Sequence, residues 1–157
     1  MSRHKAHSAK TFTVQEANAM LPLVRAIVRD IVQLSRDVLG RRERLGFLGT
    51  GRPQRTGDPY DEELAQMEAD LEKDTRQLQE YAGELRRLGV EPKSATDGLV
   101  DFPAKIDGRR VYLCWKLGEP EVLYWHELDA GYRGRQPLAV GIGADEGIGD
   151  DRTDSDE

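Results

Sequence analysis

The residues best suited to chemistry are concentrated near the carboxyl-terminal end of the sequence, between positions 114 and 135. This segment contains both tryptophans, the only cysteine and the only histidine outside the first ten residues. Thiolate, imidazole and carboxylate groups are ligands that zinc and similar divalent ions prefer. These residues suggest a metal-binding hypothesis, in which Cys114, Glu119, His126 and Asp129 hold one divalent transition metal ion, with Asp101 as a further donor. The alternative is a structural histidine bonded to Asp129 or to the backbone.

The length of the turn at residues 117–120 decides whether Cys114 and His126 lie together. A loop of three residues pairs Cys114 with Tyr124. The same loop pairs Tyr112 with His126, so that the thiol and the imidazole are diagonal neighbours on one face. A loop of two or four residues instead places His126 on the apolar face of the sheet. The sequence leaves the register open.

The first of these registers would also allow Cys114 to act as a nucleophile with His126 as its base. Such a thiolate needs a neighbouring cation, for example Lys116 or Arg110. Asp101 lies opposite Cys114 in the expected sheet, and a carboxylate at that position raises the pKa of the thiol. The sequence therefore disfavours nucleophilic catalysis at Cys114.

A glycine-containing loop at residues 131–136 carries Arg133 and Arg135. Two arginines on such a loop suit bidentate contact with a phosphate or carboxylate, so anion or nucleotide binding is one functional hypothesis. The alternative is that both arginines pair with Glu127, Asp129 or the acidic second helix. The sequence contains neither a dinucleotide-binding glycine motif nor a P-loop.

A long helix is expected to precede these residues. Thr13 and Glu16 have the spacing of a capping box, which starts a helix at Thr13. Apolar residues then recur at alternating spacings of three and four, as in a heptad seam: Ala17, Met20, Val24, Ile27, Ile31, Leu34 and Val38. Pro22 removes one helical hydrogen bond, so we expect a kink or two helices in series near Leu21.

A glycine-rich loop over residues 46–57 is expected to lead into a second helix. Asp58 and Pro59 favour its start, and Gly89 favours its end. Its apolar positions follow the same heptad spacing: Tyr60, Leu64, Met67, Leu71, Leu78, Tyr81, Leu85 and Leu88. Asp74 occupies the remaining seam position. The two helices are expected to form an antiparallel hairpin over residues 13–89.

Narrow seams on two helices leave apolar surface to be covered by the rest of the chain or by a second copy. The seam between copies is expected to contain Ile27, Ile31, Leu34, Leu71, Asp74 and Leu78. Asp74 would fix the register of that contact, or would lie exposed at a packing edge. The leading functional prediction is a non-enzymatic interaction or scaffold module that forms a homodimer through its hairpin. Metal binding and anion binding are the alternatives.

Residues 97–138 change to the alternating pattern of β-strands. Asp107 and Gly108 are typical of a two-residue type I′ turn. This turn fixes the register of Ile106 with Arg109, Phe102 with Leu113, and Asp101 with Cys114. It places one set of side chains toward the helices: Val100, Phe102, Ala104, Val111, Leu113 and Trp115. With a third strand over residues 121–127, we predict an α+β fold in which the helical hairpin packs on a three-stranded antiparallel meander.

Four segments resemble an uncharacterised bacterial family called domain of unknown function 2203. They are FTVQEANAMLP from Phe12, GLVDFP from Gly98, LCWKLGEPE from Leu113 and WHELDAGYRGRQPL from Trp125. The resemblance covers about residues 12–138 and implies no known activity. The resemblance therefore assigns no role to the candidate site residues.

The chain of 157 residues is 38% hydrophobic and 33% charged, which is typical of one soluble domain. We expect that domain at residues 12–138, between a disordered basic arm at 1–11 and a disordered acidic tail at 139–157. The sequence contains no apolar run long enough to cross a membrane, so a cytoplasmic location is expected. The single cysteine excludes an intramolecular disulfide.

Charge is divided between the two expected helices. Residues 25–55 carry eight arginines against three acids, and residues 58–91 carry eleven acids against four bases. Opposite charges favour pairing of the two segments. This pairing and the net charge of −6 disfavour nucleic-acid binding.

Overall fold

The computed structural model describes residues 10–49 and 59–138. Within these residues the chain forms two α-helices and then five β-strands. They are α1 (Val14–Gly49), α2 (Pro59–Arg87), β1 (Glu91–Ser94), β2 (Leu99–Ile106), β3 (Arg109–Lys116), β4 (Tyr124–Glu127) and β5 (Gln136–Pro137). The fold is therefore α+β with a helical hairpin. Asp58 and most of the expected arm and tail lie outside the described residues.

The capping box at the start of α1 is confirmed. The Thr13 N–H donates to Glu16 Oε1, and the Glu16 N–H donates to Thr13 Oγ1, each at 3.0 Å. Pro22 lies inside one continuous helix, so the alternative of two helices in series is wrong. The helix also continues to Gly49, beyond the expected loop start at residue 46. Glycine weakens a helix by about 1 kcal/mol per residue, which does not stop propagation from three preceding heptads.

The end of α2 is a Schellman motif centred on Gly89, which has φ 90°. The Gly89 N–H donates to the Arg86 carbonyl oxygen, and the Val90 N–H donates to the Leu85 carbonyl oxygen, both at 2.9 Å. Leu85 and Val90 are both buried, which completes the hydrophobic contact of this motif. None of the helices in the described part of the chain is long and apolar enough to span a membrane.

The sheet has five antiparallel strands in the order β1-β2-β3-β4-β5, not the three expected. The additional strands are the outermost ones, β1 and β5. Each is short and contains a proline, and proline is tolerated at sheet edges because it cannot donate to a ladder. The backbone of β1 pairs with that of β2, and the backbone of β5 pairs with that of β4. These partners lie outside the two short segments, so the local sequence pattern does not predict the two strands.

The β2–β3 hairpin has the expected turn and register. Asp107 and Gly108 have φ values of 55° and 77°, as a type I′ turn requires. Phe102 pairs with Leu113, and Asp101 pairs with Cys114. The face toward the helices forms the core with α1: Val100, Phe102, Ala104, Val111, Leu113 and Trp115 are all buried.

The β3–β4 pairing follows the first of the two registers considered above. Tyr112 pairs with His126, and Cys114 pairs with Tyr124. The strand expected at residues 121–127 corresponds to β4, which starts at Tyr124 and not at residue 121. Residues 117–123 leave the ladder because the Val122 N–H donates to Asn18 Oδ1 on α1 at 2.7 Å, and this contact holds the connection against the helix.

The residues expected at a seam between copies are largely engaged within the chain. Ile27 and Ile31 are buried in the core, and Leu78 packs against it. Leu34 and Leu71 are half-buried. Asp74 forms an ion pair with Arg41 across the hairpin and is half-buried, so it is not an exposed residue at a packing edge. Its role in a contact between copies stays a prediction.

Candidate functional site

Three neighbouring strands bring a carboxylate, a thiol and an imidazole together on the sheet face opposite the helices. Asp101 on β2 and Cys114 on β3 are directly paired. His126 on β4 is two residues from Tyr124, the partner of Cys114, and is therefore the diagonal neighbour of Cys114. Period-two alternation puts all three side chains on one face. We call these three residues the outer-face cluster.

The outer-face cluster is excluded from solvent. The exposed fraction is 2% for Asp101, 0% for Cys114 and 2% for His126. One potential ligand atom from each residue lies within 4.8 Å of the other two. Buried polar groups of this kind are costly unless each is hydrogen-bonded or holds an ion.

The hydrogen bonds of His126 fix the direction of its lone pair. Nδ1 lies 2.7 Å from the carbonyl oxygen of Glu127, which can only accept, so Nδ1 carries the proton. Nε2 lies 3.1 Å from both carboxylate oxygens of Asp101. In a neutral ring the Nε2 lone pair therefore faces the carboxyl group. That arrangement requires a proton or a metal ion between the two groups.

The pKa values of both acids in the cluster are raised. Burial raises the pKa of Asp101, and the nearby His126 and Lys93 oppose this rise only in part. Burial raises the pKa of the Cys114 thiol to about 12, and the neighbouring Asp101 carboxylate contributes to this rise. The metal-free cluster therefore contains a neutral thiol near neutral pH.

This protonation state opposes nucleophilic catalysis by Cys114. The register that brings Cys114 near His126 is present, but the imidazole Nε2 faces the Asp101 carboxylate. A thiol with a pKa of about 12 supplies almost no thiolate at neutral pH. The sequence predicted that the Asp101 carboxylate raises the pKa of the Cys114 thiol, and this prediction is confirmed.

The four residues expected to hold a metal do not all meet. Cys114 and His126 share the outer-face cluster with Asp101. Glu119 instead accepts the backbone N–H of Lys116 at 3.0 Å. Asp129 is exposed. The cluster is thus built from three adjacent strands, and the turns contribute neither Glu119 nor Asp129.

Arg135 is held inside the chain. Its Nη2 donates to Glu119 at 2.8 Å, and its side chain is 11% exposed. The guanidinium carbon lies 3.9 Å from the ring centroid of Tyr124 and 4.7 Å from that of Tyr132. Its ion-pair partner is therefore Glu119, which differs from the partners expected.

The rest of the 131–136 loop is more open. Arg133 is exposed. Glu127, one of the partners expected for the loop arginines, pairs with Arg109. With Arg135 paired to Glu119, Arg133 is the exposed guanidinium group of this loop.

One neighbour of the cluster was not anticipated from the sequence. Lys93 on β1 lies over the Tyr112 ring, with Nζ 5.2 Å from the centroid, and its charge acts on Asp101. Tyr112 in turn contacts the His126 ring at a centroid distance of 5.6 Å. The strand Glu91–Ser94 has four residues, which are too few for a sequence pattern to distinguish a strand from a turn.

A helical hairpin on a five-stranded antiparallel sheet, with a buried Asp-Cys-His cluster on the outer face, defines a small α+β protein with a candidate metal centre. The family model described as "Uncharacterized conserved protein (DUF2203)" matches residues 10–138. The chain belongs to this family, as the sequence resemblance predicted. No curated protein and no solved structure gives a significant match.

Proposed function

We propose that this protein binds one divalent transition metal ion, with zinc the best fit, through Asp101, Cys114 and His126. The observation that carries the proposal is the meeting of one ligand atom from each residue within 4.8 Å. All three residues lie on strands of one sheet, so their backbones are fixed by ladder hydrogen bonds before any ion binds. Such preorganisation favours metal binding.

The spacing of His126 and Asp101 is compatible with tetrahedral coordination. Two ligands bound to zinc at about 2.0–2.3 Å with tetrahedral angles are about 3.3–3.8 Å apart. His126 Nε2 and the Asp101 oxygens are 3.1 Å apart, so small side-chain movements accommodate an ion. Nδ1 of His126 donates to the Glu127 carbonyl oxygen, which is the usual outer-shell contact of a ligating histidine.

Charge balance also supports a divalent ion. A carboxylate and a thiolate together carry two negative charges, which a divalent cation neutralises in a site without solvent. A bound cation lowers the pKa of a coordinating thiol enough to deprotonate it. Three protein ligands leave the fourth tetrahedral position of zinc for a water molecule or another small ligand.

Metal analysis of the untagged full-length chain, purified without chelator and resupplied with zinc, tests the proposal. We expect about one ion per chain in the wild type and in the Asp129→Asn control, because Asp129 is exposed and outside the cluster. The Cys114→Ala variant is expected to lose most of the ion. Less than about a tenth of an ion per chain in the wild type overturns the proposal.

Cobalt substitution separates ligand loss from misfolding. A thiolate–cobalt bond gives a near-ultraviolet charge-transfer band, which Cys114→Ala should abolish and Asp129→Asn should retain. The circular dichroism of the metal-free variants reports whether each one is folded. A folded Cys114→Ala variant with unchanged metal content and an unchanged band excludes Cys114 as a ligand.

A further inference from the structure

The hairpin extends beyond the part of the molecule that the sheet covers. Among the described residues, the hydrophobic core that the helices share with the sheet includes α1 residues only up to Val32. On α2 it includes residues only from Leu78 onward. The outer part of the hairpin therefore packs as two helices without a third layer. Two amphipathic helices with one narrow seam bury little surface alone.

One side of this outer part is apolar at its centre and charged at its edges. A groove of about 320 Å³ is lined by Arg44 on α1 and by Tyr60, Glu63, Leu64 and Met67 on α2. Phe47 lies three residues from Arg44, on the same face of α1, and is 80% exposed. We call Phe47 together with the residues lining the groove the tip surface.

We infer that the tip surface is a homodimer interface, in which Phe47 of each copy enters the groove of the other. Aromatic side chains that enter a partner's pocket are the usual anchors of protein interfaces. A twofold axis makes the contact isologous, so the same exposed ring and groove are used twice. The inference is independent of the proposed metal site, which lies on the opposite face of the sheet from the helices.

Charge complementarity identifies a second copy as the occupant. The tip surface has a cation on α1, Arg44, and an acid on α2, Glu63. Twofold packing of α1 against the partner's α2 places Arg44 opposite the partner's Glu63, and the reverse. The helices share this asymmetry, since α1 has six arginines against four acids and α2 has nine acids against four bases. Alternating helix charges in the resulting four-helix arrangement favour this pairing over like-charged ones.

The opposite flank of the hairpin provides a matched control. It is lined by Arg42, Glu68, Leu71, Glu72, Thr75, Arg76 and Gln79, a largely polar set without an exposed aromatic ring. The control substitutions Arg42→Glu and Glu68→Arg reverse the charge of one side chain each. They change the net charge of the chain by the same amount as Arg44→Glu and Glu63→Arg. These variants should therefore leave the association unchanged.

Sedimentation of the full-length chain over a range of concentrations up to about 100 µM tests the inference. We expect twice the chain mass of 17.7 kDa for the wild type. Phe47→Ala is expected to weaken association by about thirtyfold or more, with no loss of thermal stability in the monomer because the side chain is 80% exposed. A wild-type monomer at the highest concentration overturns the inference, as does a dimer that Phe47→Ala leaves intact.

A charge exchange then tests the arrangement of the two copies. Arg44→Glu alone and Glu63→Arg alone should each weaken the dimer, since each opposes like charges across the interface. An equimolar mixture of the two variants should restore the dimer, because both cross-copy contacts then join opposite charges. If a substitution weakened the dimer by disturbing the contact between α1 and α2 within one chain, mixing the two variants would not restore the dimer. Failure of the mixture to associate, with both variants folded, excludes this pairing.

Discussion

The His126 ring lies between two oxygen-bearing groups, with Nε2 3.1 Å from each carboxyl oxygen of Asp101 and Nδ1 2.7 Å from the carbonyl oxygen of Glu127. The carbonyl oxygen cannot donate, so it fixes the tautomer of the neutral ring. Burial raises the pKa of the carboxyl group that faces the remaining lone pair. A shared proton satisfies the hydrogen bond between these two groups, and under the proposed function a metal ion would take the place of that proton.

Zinc binding is expected to release protons, because the metal-free chain holds Cys114 as a neutral thiol. Its pKa is raised to about 12, so it is protonated across the neutral range. Zinc binds the thiolate, and the apparent affinity then rises about tenfold per pH unit for each proton released. Isothermal titration calorimetry at about pH 6 and pH 8, in buffers of different ionisation enthalpy, measures the number of protons.

The Cys114→Ser variant is the control for this proton release. A serine hydroxyl keeps the size of the thiol but does not ionise in this range, so about one fewer proton should be released. The variant should also bind zinc more weakly. A wild-type affinity that is independent of pH would contradict ligation by the thiolate.

The same pKa makes Cys114 unreactive in the folded, metal-free chain. The side chain is 0% exposed. An aromatic disulfide reagent should therefore modify it only when the protein unfolds, with a rate that follows the unfolded fraction in urea. Rapid modification of the native protein would show that the thiol is accessible or ionised.

High pH is expected to destabilise the metal-free fold through this thiol. The unfolded thiol ionises near its ordinary value of 9.0, whereas the folded one holds its proton up to about 12. Between these values the folded state binds more protons, so the free energy of unfolding falls as pH rises. Urea unfolding at intervals across this range measures the slope, and Cys114→Ala should reduce it.

Much of the fold could be predicted because local sequence determines it. The capping box at Thr13, the turn at Asp107 and the end of α2 at Gly89 each depend on a few adjacent residues. The pairing of Asp101 with Cys114 followed from the turn geometry alone. The cluster partners on β2 and β3 were therefore predictable.

The position of His126 was not determined in the same way. The sequence allowed two registers, and the observed one accompanies a seven-residue connection held by Asn18, a residue on α1 far away in sequence. Glu119 is likewise held by Arg135 from the next connection. Such contacts depend on tertiary structure, which explains why Glu119 and Asp129 were expected at the site and lie outside it.

Gly98 is expected to be intolerant of any side chain, because it has φ 70° and a crowded surrounding. An added Cβ would lie 2.8 Å from Leu117 Cβ and 3.0 Å from Val32 Cγ2. Gly98→Ala should therefore reduce the free energy of unfolding by about 2–4 kcal/mol in urea titrations. Gly40→Ala has no atom within 4 Å of the new Cβ and should instead stabilise α1 by about 1 kcal/mol. Equal effects at the two positions would contradict this packing.

Asp101→Asn is expected to separate metal binding from folding. An asparagine of the same shape can donate from its amide to the Nε2 lone pair of His126, and it removes a carboxyl group whose ionisation burial opposes. Metal-free stability at neutral pH should therefore stay within about 1 kcal/mol of the wild type, while zinc binding should be lost.

The pH dependence of the wild type checks the sign of this argument. The folded pKa of Asp101 is raised above 3.8, so the folded state holds the proton more tightly and the free energy of unfolding falls as pH rises above 3.8. This slope should be absent in metal-free Asp101→Asn and retained in Asp129→Asn, which alters an exposed carboxylate. Strong destabilisation of folded, metal-free Asp101→Asn at neutral pH would mean that a charged Asp101–His126 pair holds the metal-free sheet together. The outer-face cluster would then be a buried ion pair and not two uncharged groups that share one proton.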